Sequence, residues 1–247
     1  MGNALALALR ILTTIPVMSD DVPGPDDARR AIILFPIVGA LVGTIAGLFY
    51  LLGQHVWPDT GSHMPALLAT LAALAMTGGR GASNAARCAE ALAGLAGAER
   101  SRALVLLRDP HPGPTGMIAA IALVLTRLVV TDALPHNYAL QALVVSSALG
   151  CWGTAMCITA FPIPKEWNNE DMARGMGAGM NEFLLVTCVA ILCVAAWPVH
   201  GLVAFLVAAA VTAPIAQSVS RALGGSLALG QGAGELAALS ALILLTI

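Results

Sequence analysis

Apolar and polar residues come in blocks along this chain. Long apolar runs cover Ala31–Gly53, Met64–Thr77, Thr115–Thr131, Tyr138–Phe161, Phe183–Trp197 and Gly201–Val219, and a last run ends at Ile247. A helix crosses a bilayer with about 20 apolar residues, about 17 at the short end. The second and fifth runs are shorter than that and span only if flanking Gly and Trp residues sit in the interface. The last run is clear only from Leu236. Extended back to Gly225 it reaches span length and carries Gln231 and Glu235 into the membrane or to its edge. Only helices and closed barrels satisfy their backbones in lipid. The runs therefore predict an all-α, polytopic integral membrane bundle of about seven spans, forming one membrane domain over residues 1–247.

Charge placement tests this parse independently. Arg10, Arg29 and Arg30 precede the first run, and the loop Gln54–His63 has no Lys or Arg. The loop Gly78–Pro114 holds Arg80, Arg87, Arg100, Arg102 and Arg108, and Asp132–Asn137 holds none. The loop Pro162–Glu182 holds Lys165 and Arg174, Pro198–His200 holds none, and the last loop holds Arg221. Eleven of the twelve basic residues thus fall in alternate loops. The positive-inside rule puts the segment 1–30 and the loops 78–114, 162–182 and 220–235 in the cytoplasm, and the C-terminus outside. The expected location is the cell inner membrane, multi-pass, with a cytoplasmic N-terminus. The twelfth basic residue, Arg127, lies inside the third run. A charge there is costly unless paired or hydrated. It either snorkels toward an interface or faces a polar cavity in the bundle.

Composition agrees. The chain is 58% hydrophobic and 11% charged, against roughly 25% charged in soluble domains. Too little polar surface exists to cover a water-soluble fold, so lipid covers it instead. The net charge of −2 identifies no partner, and nothing points to nucleic acid; the oligomeric state is not legible. Cys88, Cys151, Cys157, Cys188 and Cys193 form no C-x-x-C pair and read as small buried hydrophobes. Met1–Val17 lacks the order of a cleavable signal peptide. Pro23, Pro25, Pro110, Pro112, Pro114, Pro162 and Pro164 break helices in the cytoplasmic segments. Gly39, Gly43 and Gly47 make a small-residue packing face. Ala89–Ala98 is apolar but too short to cross, and reads as a re-entrant or interfacial helix.

Candidate chemistry gathers on the cytoplasmic side. Glu90, Glu99, Asp109 and His111 share one loop with five Arg; Lys165, Glu166, Glu170, Asp171 and Arg174 share the next. Arg-rich loops beside a membrane either fix orientation on anionic headgroups or clamp phosphate, and composition does not separate the two.

Several segments, in order, carry a resemblance. Leu12-Thr13-Thr14-Ile15-Pro16-Val17, then Phe35-Pro36-Ile37-Val38-Gly39 with Gly43, then Thr77-Gly78-Gly79 are followed by Leu107-Arg108-Asp109-Pro110 with Gly113 and Gly116, and by Arg221, Gly224 and Gly225. Together they resemble the cobalamin synthase family, the adenosylcobinamide-GDP ribazoletransferases, over nearly the whole chain. In that family T-G-G opens T-G-G-x-H-x-D-G-x-x-D-x-x-D, whose three carboxylates sit one turn apart and suit Mg²⁺ with substrate phosphates. Here those positions hold Gly81, Ser83, Arg87 and Glu90. Leu227-Ala228-Leu229 stands where the family has a late T-G-D, and Cys151 stands where an Arg often precedes the Trp of the fourth span.

The resemblance implies attack of an α-ribazole (or ribazole 5′-phosphate) hydroxyl on adenosylcobinamide-GDP with release of GMP, using Mg²⁺ and cobamide precursors as small-molecule partners. It makes Glu90 and Asp109 the candidate catalytic residues and the only candidate metal ligands. Arg87, Arg108 and Lys165 become candidate phosphate-binding residues. Because Arg87 replaces a carboxylate, Mg²⁺ binding is expected to be weak. Two other readings stay open. One is a catalytically degenerate homologue that binds a cobamide or a partner in the membrane. The other is a transporter-like bundle, suggested by Arg127 and the small-residue spans.

Overall fold

The computed structural model describes residues 2–17, 25–58, 62–95, 100–109, 111–160, 179–195, 197–223 and 227–246. Among these it contains eleven helices: α1 (Gly2–Leu12), α2 (Pro25–Ile33), α3 (Phe35–Val56), α4 (Met64–Thr77), α5 (Arg80–Leu95), α6 (Arg100–Arg108), α7 (Pro114–Asp132), α8 (Ala139–Ala160), α9 (Met180–Val194), α10 (Pro198–Leu223) and α11 (Leu227–Leu244). Every apolar run of the sequence is helical over most of its described residues. Four helices are long and apolar enough to cross a membrane, α3, α7, α8 and the stretch Val199–Arg221 of α10; α1, α4, α9 and most of α11 are shorter apolar helices. The chain is a helical membrane bundle.

The centre of the bundle is α8. Its sequence is apolar all round, as a helix enclosed by others must be, and it is buried along nearly its whole length. Two seams of small residues hold it. On α3, a methyl added at Gly39 would strike the Ser147 carbonyl, one at Gly43 the Leu143 carbonyl and one at Gly47 the Leu140 side chain. The three contacts step backward along α8, so the two helices are antiparallel and touch backbone to backbone. On α11, a methyl at Gly234 would strike the Gly150 carbonyl and Thr154, and one at Gly230 would lie 2.9 Å from the Thr154 carbonyl. In lipid, where apolar burial gives helices no preference for each other, such close approach is a main source of association.

Two runs are broken where the sequence suggests continuity or exit. The first run divides at Leu34 into α2 and α3, because Pro36 has no N–H to donate back into α2 and sits comfortably only in a helix's first turn. The second break is at Gly78 and Gly79, whose φ values of 61° and 62° are left-handed. α4, at 14 residues, is about 21 Å long, too short for a bilayer. The chain does not leave the bundle there. It resumes as α5, which packs along α11 and α7. Gly81 abuts Glu235, and Ala85 and Cys88 abut Gly232, while Ala86 abuts Gly116. These pairings make α5 antiparallel to both neighbours. The first part of the segment expected as a loop from residue 78 is therefore a packed helix of the bundle.

The segment expected to lead in from the N-terminus is likewise part of the bundle. α1 buries Ala4, Leu7, Ala8, Ile11 and Leu12 against Ala28, Ala31, Ile32 and Phe35. Its end closes the break between α4 and α5. The Thr14 N–H donates to the Met76 carbonyl at 2.7 Å, and the Thr14 hydroxyl donates to the Ala75 carbonyl at 2.9 Å. Gly79 N–H donates to Leu74 at 3.0 Å. The carbonyls that α4 leaves unpaired at its end thereby find donors inside the bundle, which a helix end in an apolar environment requires.

Candidate functional site

The break between α4 and α5 opens on a chamber of about 70 Å³ into which several polar side chains reach. Arg80, Arg127, Ser147, Thr154, Gln231 and Glu235 line it, with apolar residues from α1, α3 and α8. Arg127 donates to Glu235 at 3.2 Å, and the two side chains are only 13% and 18% exposed. Arg127 thus faces a cavity in the bundle and is paired, the alternative to snorkelling that the sequence left open. The Glu235 carboxylate lies against Gly81 in the first turn of α5, where the helix dipole favours a negative charge by about 0.3–2 kcal/mol. Glycine at position 81 is what leaves room for that carboxylate.

The rest of the chamber is also wired across elements. Arg80 donates from Nη1 to the carbonyls of Arg10 and Ile11, each at 2.8 Å. These are carbonyls at the end of α1, where a cation complements the helix dipole. Asn84 donates to Gln231, and Gln231 donates to the Ile11 carbonyl at 3.5 Å. Among the described residues the buried Ser147 Oγ has no hydrogen-bond partner, which leaves it available to a water in the chamber. The sequence flagged Arg127, Gln231 and Glu235 as polar groups at membrane depth but did not join them. The readable signal was opposite charges within two apolar spans, each costly alone and cheaper as a pair. The roles of Arg80 and Asn84 had no such signal.

The candidate catalytic residues lie elsewhere. Glu90 Oε2 accepts the Gly116 N–H at 2.7 Å and its carboxylate lies against Gly113. It therefore caps α7, whose first residues Pro114 and Gly116 follow the N-cap Gly113. Asp109 Oδ1 accepts the His111 N–H at 2.8 Å and stands 3.6 Å from His111 Nδ1, with its side chain 48% exposed. Both carboxylates hold the same short segment between α6 and α7, one from each end. Arg87 is half-buried, and its Nε has no hydrogen-bond partner among the described residues. No ion pair joins Arg87 to Glu90 among the described residues; Glu90 is taken by the backbone instead. Lys165 and the Arg108 side chain lie outside the described residues.

Among the described residues, the donor set around Glu90 does not fit a magnesium octahedron. Among the described residues no group of three or more His, Cys, Asp or Glu could hold a metal ion. Ser83 offers a neutral hydroxyl, Arg87 adds a positive charge one turn from both Ser83 and Glu90, and Glu90 already accepts a backbone N–H. Mg²⁺ usually needs one or two free carboxylates besides substrate phosphates.

Fold and chamber together define a polytopic helical membrane protein with a discontinuous helix closing on a buried ion pair. The chain belongs to the cobalamin-5-phosphate synthase family, which it matches over residues 4–246. It is 27% identical over 247 residues to an adenosylcobinamide-GDP ribazoletransferase of Pseudomonas syringae pv. syringae (strain B728a), covering 98% of this chain and 97% of the relative. An enzyme of that name from Alkalilimnicola ehrlichii is 30% identical over 165 residues, covering 66% of this chain and 63% of the relative. One from Pseudomonas syringae pv. tomato is 26% identical over 235 residues, covering 93% and 92%. No solved structure matches the chain.

Proposed function

We propose that this chain works in the cell inner membrane, N-terminus on the cytoplasmic side, and performs the transfer for which its relatives are named. An α-ribazole hydroxyl attacks the phosphorus of adenosylcobinamide-GDP that bears the cobinamide oxygen. A new P–O bond forms, the pyrophosphate P–O bond breaks, and GMP leaves with the electron pair. Asp109, half exposed and oriented by the His111 N–H, takes the hydroxyl proton. Glu90 holds the start of α7 and so keeps the Asp109 segment docked. Arg87, Arg108 and Lys165 supply positive charge to the pyrophosphate, since guanidinium groups bind phosphate oxygens bidentately. No step is assigned to a magnesium ion.

The observation that carries this reading is the family match over nearly the whole chain. It also sets the transporter-like reading aside. A second reading is favoured by one feature: Arg87 stands on the α5 face where the family resemblance places a carboxylate, and Glu90 is engaged as a cap. That is the degenerate homologue, which binds a cobamide or a partner without turnover. Purified protein in lipid vesicles, given adenosylcobinamide-GDP and α-ribazole, separates the two. GMP release above protein-free vesicles supports transfer. No release, under conditions where the Pseudomonas syringae relative turns over, supports the degenerate homologue.

A further inference from the structure

A second cavity, of about 300 Å³, lies beside the chamber and is more apolar. Its walls come from Ala119 and Leu123 of α7, Ile215 and Val219 of α10, and Cys157 and Gly232 behind them; Ser220 is its one hydroxyl. A lining this apolar gives water almost no partners. Among the described residues the two outer walls, α7 and α10, make no extensive contact with each other. Both present bare apolar surface outward: Ile118, Ile121 and Leu125 on α7 and Val211 and Ile215 on α10 are exposed. In a bundle surrounded by lipid, that surface faces hydrocarbon. Ile215 belongs both to the cavity wall and to that exposed surface, so the cavity lies next to the acyl region.

We propose that this cavity holds one acyl chain of an anionic phospholipid. Hydrocarbon is the apolar medium on the other side of the opening, and filling the cavity with it restores the dispersion contacts that an empty space forfeits. The charge that follows the cavity wall in sequence selects the headgroup. Arg221 is exposed in the last turn of α10, directly after Val219 and Ser220 in the cavity wall. A guanidinium there pairs with a lipid phosphate and favours a headgroup of net negative charge. The same side carries the other Arg-rich segments, so the lipid belongs to the cytoplasmic leaflet. This site is independent of the transfer reaction proposed above.

The test uses the full chain in nanodiscs of equal parts phosphatidylglycerol and phosphatidylcholine, followed by native mass spectrometry. The native protein is expected to retain one phosphatidylglycerol per chain. Ala119→Phe fills the cavity from its lipid side and is expected to lower that retention about tenfold, which corresponds to about 1.4 kcal/mol. Arg221→Gln is expected to keep a bound lipid but lose the preference for phosphatidylglycerol over phosphatidylcholine. Helix content by circular dichroism checks that each variant folds. Should Ala119→Phe fail that check, Ala119→Leu, a smaller filling on the same face, carries the test with a smaller loss. Unchanged retention in the filled variants, a native protein that keeps no phospholipid, or a retained mass that is a peptide rather than a lipid would each overturn the proposal.

Discussion

Glu235 and Asp109 are both carboxylates beside arginines, yet they are placed for opposite purposes. Glu235 is 18% exposed, 3.2 Å from Arg127, and set over the start of α5. Asp109 is 48% exposed and, among the described residues, is bonded within its own turn. A buried charge binds its surroundings into one arrangement because its partner cannot leave without stranding it. An exposed carboxylate held by a backbone N–H can exchange partners without disturbing the packing. On the proposed function, the chamber does structural work and the segment between α6 and α7 does chemical work.

The largest effect should come from breaking the chamber. Glu235→Gln leaves Arg127 buried without a counter-charge and is expected to destabilise by about 3–5 kcal/mol, measured as thermal unfolding in detergent. Replacing both partners, Arg127→Leu with Glu235→Leu, should cost much less than Glu235→Gln alone. A double variant as unstable as the single would show that the two groups do not act as a pair. Next comes the space that Gly81 leaves for the carboxylate. Gly81→Ala pushes against Glu235 and is expected to cost about 1–3 kcal/mol. At Gly79 a methyl meets nothing within 4 Å, so Gly79→Ala costs only the left-handed backbone, about 1–2 kcal/mol. Equal costs with an unchanged ion pair would remove Gly81 from the argument.

Smaller effects are expected on the Asp109 side. Glu90→Gln weakens the cap on α7 and should cost about 0.5–2 kcal/mol, read by the same unfolding measurement. Asp109→Asn should leave stability within about 0.5 kcal/mol, while GMP release falls by about 10²–10⁴-fold. An Asp109→Asn variant that unfolds early but keeps its rate would reverse the two assignments.

How much of this was legible in the sequence depends on range. The apolar runs announce α3, α7, α8 and α10 directly, since hydropathy is a local property. The glycine stripe on α3 was legible as a packing face, though not its partner α8. The break at Gly78 was not. Thr77 ends an apolar run and Arg80 follows, so the chain looks as if it leaves the membrane. Only the contacts of Gly81, Asn84 and Cys88 with α11 place α5 inside the bundle, and those residues are far apart in sequence. α1 had a readable signal in the helical spacing of Ala4, Leu7, Ala8 and Ile11, but its single Arg made it look peripheral. Arg127 and Glu235 are 108 residues apart, so their pairing depends on the assembled fold. Glu90 and Asp109 were found by motif resemblance, which marks a position without saying what already occupies the carboxylate.

The most direct test of the account is a magnesium titration of GMP release, comparing the native protein with the variant Ser83→Asp, Arg87→Asp, Glu90→Asp. At about 6 Å and an effective dielectric near 20, the Arg87 charge opposes a bound Mg²⁺ by roughly 5 kcal/mol before screening. Solvent and salt reduce that severalfold without changing its sign. The account predicts that native release, if driven by Asp109 and the arginines, depends only weakly on added magnesium. The variant should acquire a saturable dependence at about tenfold lower concentration or better. Native release that saturates at the same magnesium concentration as the Pseudomonas syringae relative would contradict it.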